Sequence, residues 1–165
     1  MNIRPAQLGD AEGLLEVFAA CDSESPFMLY GPGDRNTSVQ KQAQLIQSFV
    51  ESNSKTLLVA EEKGELVGFI GGHCGKAPRD HHTLSLALGV VKAYWGKSVG
   101  KALLDGLERW ARAHGVRRME LAVVEENVRA RKLYEKAGYE YEGTRRNSFL
   151  LDGRLKNELW MGKLL

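Results

Sequence analysis

Two short segments in the second half of this 165-residue chain constrain its fold more than any other feature. The first, residues 94–104, reads YWGKSVGKALL and predicts a glycine-containing turn that opens a helix. The second, residues 126–139, reads ENVRARKLYEKAGY and predicts a helix that begins near Asn127 and ends at Gly138. A helix N-terminus directs unpaired N–H groups and the positive end of its dipole at one point. The first segment therefore predicts a site for a pyrophosphate.

The composition is that of an ordinary soluble globular chain, long enough for one domain with a sizeable core. Apolar residues make up 43% and charged residues 27% of the chain. A formal net charge of only +2 argues against a dedicated nucleic-acid binder. Basic residues do cluster locally, which suits one anionic ligand better than a long phosphate backbone; they are Arg117, Arg118, Arg129, Arg131, Lys132 and Lys136.

Targeting and redox features point to the cytoplasm. No apolar run reaches the ~20 residues that a membrane span needs. The N-terminus lacks the basic stretch and apolar core of a secretory signal. Cys21 and Cys74 are far apart and lack metal-ligand spacing, which fits a reducing compartment and argues against a disulfide framework.

Periodicity and turn residues predict an ordered series of strands and helices. The predicted elements are a strand at 2–6, a helix at 10–20, a loop at 21–36, a helix opened by a capping box of Thr37 and Gln40, strands at 56–61, 65–72 and 83–91, a helix at 98–114, a strand at 117–124, a helix at 127–137, and strands at 139–146 and 155–163. This order predicts one α+β domain over residues 1–165, with a mixed, mostly antiparallel sheet of about seven strands flanked by about four helices.

In this order and spacing, the two segments resemble the motifs of the GCN5-related N-acetyltransferase (GNAT) family. The family's phosphate turn carries Gln or Arg, two residues, Gly, one residue, and then Gly or Ala. Trp95 stands here in place of the amide or basic residue, and Ser98 in place of the first glycine. The resemblance covers about residues 2–163 and is strongest over residues 84–139, and the predicted element order matches the family fold.

The resemblance implies an enzyme that moves an acetyl group from acetyl-CoA to a primary amine, by direct attack through a tetrahedral intermediate and without a metal. The acceptor is expected to be a small amine, an amino acid or a protein N-terminus. Family members are often dimers, so a homodimer is left open. Two other hypotheses are a non-catalytic acyl-CoA-binding regulatory domain, which Ser98 favours and Tyr134 disfavours, and a doubly wound nucleotide-binding domain, which the hairpin-rich order disfavours.

The resemblance also implies cofactor-binding residues. Backbone atoms of Leu88, Gly89 and Val90, in a strand that diverges from its neighbour, are expected to pair with the pantetheine arm. The other expected contacts are Trp95, Gly96, Lys97, Ser98, Val99, Gly100, Lys101, Asn127, Arg131 and Tyr134. From the residues alone, Asn127 is an equally good helix N-cap and Tyr134 fits a core position better, so both alternatives stay open.

Acetyl transfer to an amine needs one group to protonate the leaving thiolate and another to take the amine's proton. With the resemblance, Tyr134, two turns after Asn127, is the expected general acid. Glu120 is the first candidate for the base, and His81, His82 and Glu158 are alternatives. The acceptor site is expected to form between the early loop, with Phe27, Tyr30 and Asp34, and the last hairpin, with Arg145, Arg146 and Glu158.

Overall fold

The computed structural model describes residues 1–165 and has the predicted order of elements. The strands are β1 (Asn2–Pro5), β2 (Lys55–Glu62), β3 (Glu65–Cys74), β4 (Thr83–Val90), β5 (Arg118–Val124), β6 (Glu140–Leu151) and β7 (Arg154–Leu164). The helices are α1 (Ala11–Glu24), α2 (Val39–Val50), α3 (Val99–Ala113) and α4 (Val128–Lys136). No helix is both long and apolar enough to cross a membrane.

All seven strands join one sheet in the order β1-β2-β3-β4-β5-β7-β6. Every neighbouring pair is antiparallel except β4 and β5. The predicted α+β class and the mostly antiparallel sheet are therefore confirmed. A parallel pair needs a crossover connection, and α3 provides it between β4 and β5.

Helices cover the sheet on both faces and produce two hydrophobic cores. One core of 19 buried residues includes Leu107 of α3, and a second core of 10 includes Leu14 of α1 and Ile46 of α2. In β2, Leu58 belongs to the first core and Val59 to the second, as the alternation of side chains along a strand requires. The middle of the sheet is therefore buried on both sides.

The start of α2 and the last hairpin differ from the sequence prediction. The capping box of Thr37 and Gln40 is wrong, because the hydroxyl of Ser38 accepts the Lys41 N–H at 3.2 Å and α2 begins at Val39. Strand β6 continues to residue 151 instead of ending at residue 146. Its ladder with β7 is interrupted by two bulges, which break the period-2 pattern that marks a strand in sequence.

Candidate active site

Strands β4 and β5 separate from each other partway along their length. They pair in parallel at three positions only, the last being Ser85 opposite Glu120. Beyond this point β4 stays paired with β3 as far as Val90, and β5 stays paired with β7 as far as Val124. The two strands therefore border a gap that no third strand fills, which is the divergence that the resemblance implied.

The backbone groups that face this gap follow from the alternation of N–H and C=O directions along β4. The Thr83 carbonyl accepts the N–H of Gly75, which directly follows β3, at 3.0 Å. Odd-numbered residues of β4 therefore turn their polar groups toward β3, and even-numbered residues turn theirs away from it. Of the three β4 residues expected to bind the cofactor, Leu88 and Val90 are therefore the ones whose backbone groups face the gap.

The backbone of Gly89 faces β3 and not the gap, so the geometry does not support its expected contact with the cofactor. Gly89 lies opposite Phe69 in the β3–β4 ladder, where its N–H and C=O face β3. A Cβ at this position would lie 2.4 Å from the Phe69 ring and 3.2 Å from the Cys21 sulfur. Packing against Phe69 therefore explains the glycine, and the gap is lined by its two neighbours.

The turn before α3 carries a run of backbone N–H groups without an acceptor in the protein. They belong to Gly96, Ser98, Val99, Gly100 and Lys101. Gly96 has a φ of +75°, a left-handed conformation that glycine adopts freely. Unpaired N–H groups at a helix N-terminus attract anions, and the helix dipole strengthens the attraction. The turn therefore has the free donors that the sequence predicted, and anion binding at this position stays a prediction.

Ser98 occupies the left-handed region as well, with a φ of 62° and a ψ of 10°. This conformation costs an L-residue roughly 1–2 kcal/mol, whereas glycine adopts it without that cost. The Ser98 side chain makes no cap hydrogen bond with α3. Its backbone N–H stays unpaired, so the substitution of the family's glycine retains the donor.

The Trp95 side chain makes two contacts, one through its indole N–H and one through the face of its ring. Its indole N–H donates to the carbonyl of Val90 at 2.7 Å. The guanidinium carbon of Arg129 lies 3.1 Å from the centroid of the Trp95 ring. One side chain therefore connects the end of β4, the turn and the first turn of α4. Sequence reasoning counted Arg129 among the basic residues but did not assign it to the site, since nothing local indicates its contact with Trp95.

Two polar side chains of α4 keep free donors. Asn127 caps the helix, because its Oδ1 accepts the N–H of Ala130 at 3.2 Å, and its Nδ2 has no partner in the protein. Arg131 donates from Nη1 to the carbonyl of Glu125 at 3.0 Å, while its buried Nε has no partner. A buried donor without an acceptor is costly. Both residues can therefore bind a ligand without losing the contacts they already make.

Tyr134 is buried in the core under α3, where its ring packs edge-on against Tyr139 with the centroids 5.8 Å apart. The core interpretation of Tyr134 therefore describes its packing correctly. Its hydroxyl makes no hydrogen bond with any protein group, so it remains available. Burial raises the pKa of Tyr134 to about 12, and the phenol is protonated at neutral pH, as a general acid must be.

Glu120 lies at the start of the gap within a network of charges. Arg118 donates from Nε to one Glu120 oxygen at 2.9 Å, and the Ser85 hydroxyl is 3.4 Å from the other. Arg118 also donates from Nη1 and Nη2 to the two carboxylate oxygens of Glu142, at 2.8 and 2.6 Å. These hydrogen bonds lower the pKa of Glu142. One oxygen of Glu120 thus has only a long contact and is the oxygen that can accept a proton.

The other candidates for the base have different positions. His81 and His82 are exposed in the connection before β4, at the opposite end of that strand from Val90. Glu158 is half-buried on β7, opposite Val124, and pairs with Arg145 at 3.4 Å. Glu120 therefore lies where the gap begins, Glu158 lies one strand beyond β5, and the histidines lie at the far end of β4 from Val90.

A groove of about 600 Å³ lies between residues 25–34 and the tip of the β6–β7 hairpin. Tyr30 and Asp34 line it from the loop, and Phe149 and Asp152 line it from the hairpin. The two segments expected to shape the acceptor site thus meet. Four residues expected there do not line the groove: Phe27, Arg145, Arg146 and Glu158. The hairpin contributes its tip instead, because β6 is longer than predicted.

The wall of this groove is held by Arg35. Its guanidinium donates to the buried carboxylate of Asp22 at 2.5 Å and lies 4.6 and 4.4 Å from the ring centroids of Phe18 and Tyr30. The Arg35 side chain therefore joins the loop between α1 and α2 to α1, and Met28 of the loop packs against the core that α1 helps to form. No motif or periodicity in the sequence could have indicated this residue.

Comparison with known proteins agrees with the geometry. Residues 19–139 match the model of the acetyltransferase (GNAT) family. An acetyltransferase of the GNAT family from Streptococcus pneumoniae is 26% identical, with a TM-score of 0.95 over 99% of each chain. A ribosomal-protein-alanine N-acetyltransferase from Brucella melitensis is 22% identical, with a TM-score of 0.89 over 100% of each chain. The yncA protein of Salmonella typhimurium, whose structure includes its cofactor acetyl-CoA, is 20% identical, with a TM-score of 0.88 over 100% of this chain and 94% of that one.

Proposed function

This chain belongs to the GNAT family of acetyltransferases, and we propose that it transfers an acetyl group from acetyl-CoA to a primary amine. The observation that carries the proposal is the pair of unpaired backbone surfaces at the site. A run of free N–H groups at the start of α3 adjoins the open edge of β4. The first surface suits a diphosphate and the second suits an amide-containing arm, and coenzyme A has both.

The residues of the site fit acetyl-CoA by the chemistry of their free groups. We propose that the N–H groups at 96 and 98–101 hold the diphosphate, with Lys97 contributing charge. The backbone groups of Leu88 and the N–H of Val90 would hold the pantetheine arm, and the free donors of Asn127 and Arg131 would add to it. When bound, acetyl-CoA supplies the acetyl group as an activated thioester.

The proposed chemistry uses two side chains and one backbone donor. Glu120 takes the proton of the attacking amine through the oxygen that Arg118 does not engage. The N–H of Leu88 faces the gap and would stabilise the negative charge that develops on the carbonyl oxygen. Tyr134 gives its proton to the leaving thiolate, and its raised pKa keeps that proton in place at neutral pH. The proposal includes no metal.

The acceptor is proposed to be a small-molecule or peptide amine that enters by the groove at Tyr30 and Phe149. We propose that residues 1–165 work as one N-acetyltransferase domain in the cytoplasm, with a homodimer as an option. The cytoplasmic assignment is supported by Cys21 and Cys74, which are both free thiols.

The experiment that tests the function is thiol release from acetyl-CoA, measured with a panel of acceptors. The panel contains free amino acids, polyamines, aminoglycosides and N-terminal peptides. Release with one class of amine is expected and would identify the acceptor type. Glu120→Gln is expected to lower that rate because it removes the proton acceptor while keeping the side chain's shape.

Calorimetry with acetyl-CoA separates the other outcomes. Binding without release for any amine would contradict the proposed catalysis and support the regulatory-domain alternative. An absence of both binding and release would contradict the proposed phosphate turn, with Trp95 and Ser98 as the departures responsible.

A further inference from the structure

Near the phosphate turn, the side chains of Lys92, Lys97 and Arg129 lie over aromatic rings and have no hydrogen bond or ion pair, and Arg129 is the one that carries a planar guanidinium. Its guanidinium is stacked on Trp95 and makes no hydrogen bond or ion pair with any protein group. By contrast, Lys101 is paired with Asp105 at 2.5 Å, and Arg131 donates to the carbonyl of Glu125. Arg129 is therefore a fixed positive charge whose five N–H donors are all unused.

The stack determines which part of Arg129 is available. When the flat face of a guanidinium packs on an aromatic ring, its N–H groups point outward in the plane of the guanidinium. They stay free to donate to a ligand beside the ring. The ring itself cannot move freely, because the indole N–H is bonded to Val90 at 2.7 Å. Partial burial of the guanidinium lowers the pKa of Arg129 below its usual range, while the residue as a whole stays exposed and accessible to a ligand.

The position of the stack connects this charge to the turn. Trp95 directly precedes Gly96, the first of the residues with free N–H groups. It also stands where the family pattern has Gln or Arg. The turn therefore has no amide or basic side chain at position 95. Instead, the guanidinium of Arg129 on α4 lies on the Trp95 ring.

We propose that Arg129 is a phosphate-binding residue of this enzyme, held over the turn by Trp95, and that it binds the diphosphate of acetyl-CoA. The inference rests on the proposed function and adds a ligand contact that the turn's own residues do not supply. A charged donor in a fixed position shortens and strengthens its hydrogen bonds to phosphate oxygens. Removing its charge is therefore expected to weaken binding about tenfold.

The test is calorimetric binding of acetyl-CoA and of acetyl-dephospho-CoA, which lacks the 3′-phosphate but keeps the diphosphate. Arg129→Gln retains a planar group that can stack on Trp95 and removes the charge. Its Kd is expected to rise about tenfold for both ligands, with a weaker salt dependence than the wild type has. Arg129→Lys, which keeps the charge without the planar face, is expected to lie between the two.

Arg79→Ala is the matched control, because this exposed arginine precedes β4 at the end remote from the turn and has no ion pair. An unchanged Kd in Arg129→Gln would overturn the proposal. A loss confined to acetyl-CoA would also overturn it, since Arg129 would then bind the 3′-phosphate. Failure of the wild type to bind either ligand would contradict the proposed function instead, so the two failures are distinguishable.

Discussion

The phosphate turn and the loop at residues 25–38 are both irregular segments at the site, but they are ordered in different ways. The turn is ordered by its own backbone, with Gly96 in a left-handed conformation and Val99 beginning a 15-residue helix. The loop has no regular element, and Arg35 fastens it through Asp22 on α1. The comparison teaches that one half of the site is local in sequence and the other depends on a distant contact.

This difference predicts different sensitivities. Local backbone structure tolerates most side-chain changes, because its hydrogen-bond donors belong to every residue type except proline. A loop whose polar attachment is the single side chain of Arg35 has less tolerance at that residue. Substitutions in the turn should therefore alter ligand binding in small steps, whereas loss of the Arg35 contact should alter the loop as a whole.

The largest effect is expected from Arg35→Ala. It leaves the Asp22 carboxylate, whose side chain is only 3% exposed, buried without a partner. We expect a loss of about 3 kcal/mol in the free energy of unfolding, measured in urea, because an unpaired buried charge is costly. Proteolysis within residues 25–38 should become faster, and the Kd for acetyl-CoA should not change.

The control for this substitution is Arg112→Ala on α3. Arg112 pairs with Glu108 on the helix surface, and such exposed pairs contribute less than about 1 kcal/mol. Equal losses in the two variants would contradict the idea that Arg35 fastens the loop.

The next effect in size is expected from Tyr134→Phe. The substitution keeps the ring that packs against Tyr139 and removes only the hydroxyl. If Tyr134 protonates the leaving thiolate, kcat falls at least ~10-fold while the Kd for acetyl-CoA stays nearly constant. Steady-state kinetics and calorimetry measure the two quantities, and an unchanged kcat would exclude the acid role.

The same contrast explains how far the sequence predicted the molecule. The element order, the mixed sheet and the free N–H groups at the start of α3 were all predicted, because periodicity, glycine and helix starts are local signals. The unexpected features are contacts between residues distant in sequence. They include Arg129 on Trp95, Arg35 with Asp22, and Phe69 against Gly89.

Local prediction also failed where two neighbouring residues had the same chemistry. Thr37 and Ser38 are both good helix caps, and the spacing to Gln40 favoured the first. The structure uses Ser38, whose hydroxyl accepts the Lys41 N–H, and the sequence contains no local signal that separates the two residues.

A smaller effect is expected from Ser98→Gly, which tests the phosphate turn in the same way that Arg35→Ala tests the loop. Glycine removes the strain of a left-handed serine and keeps the backbone N–H. We expect a gain of about 1 kcal/mol in the free energy of unfolding and binding of acetyl-CoA at least as tight as before. Ser98→Ala keeps the strain and removes the hydroxyl, so a gain shared by both variants would show that the hydroxyl is responsible.

The smallest expected effect concerns the alkaline pH dependence of kcat, where we expect almost no change near pH 10. An ordinary tyrosine loses its proton near pH 10, whereas burial raises the pKa of Tyr134 to about 12. A general acid acts only while protonated, so a raised pKa moves the loss of activity to higher pH. Between pH 9 and pH 10.5, kcat measured at saturating substrates should therefore fall less than about twofold. A fall centred near pH 10 would mean that the phenol of Tyr134 is solvated like a free tyrosine, which would contradict its burial in the core.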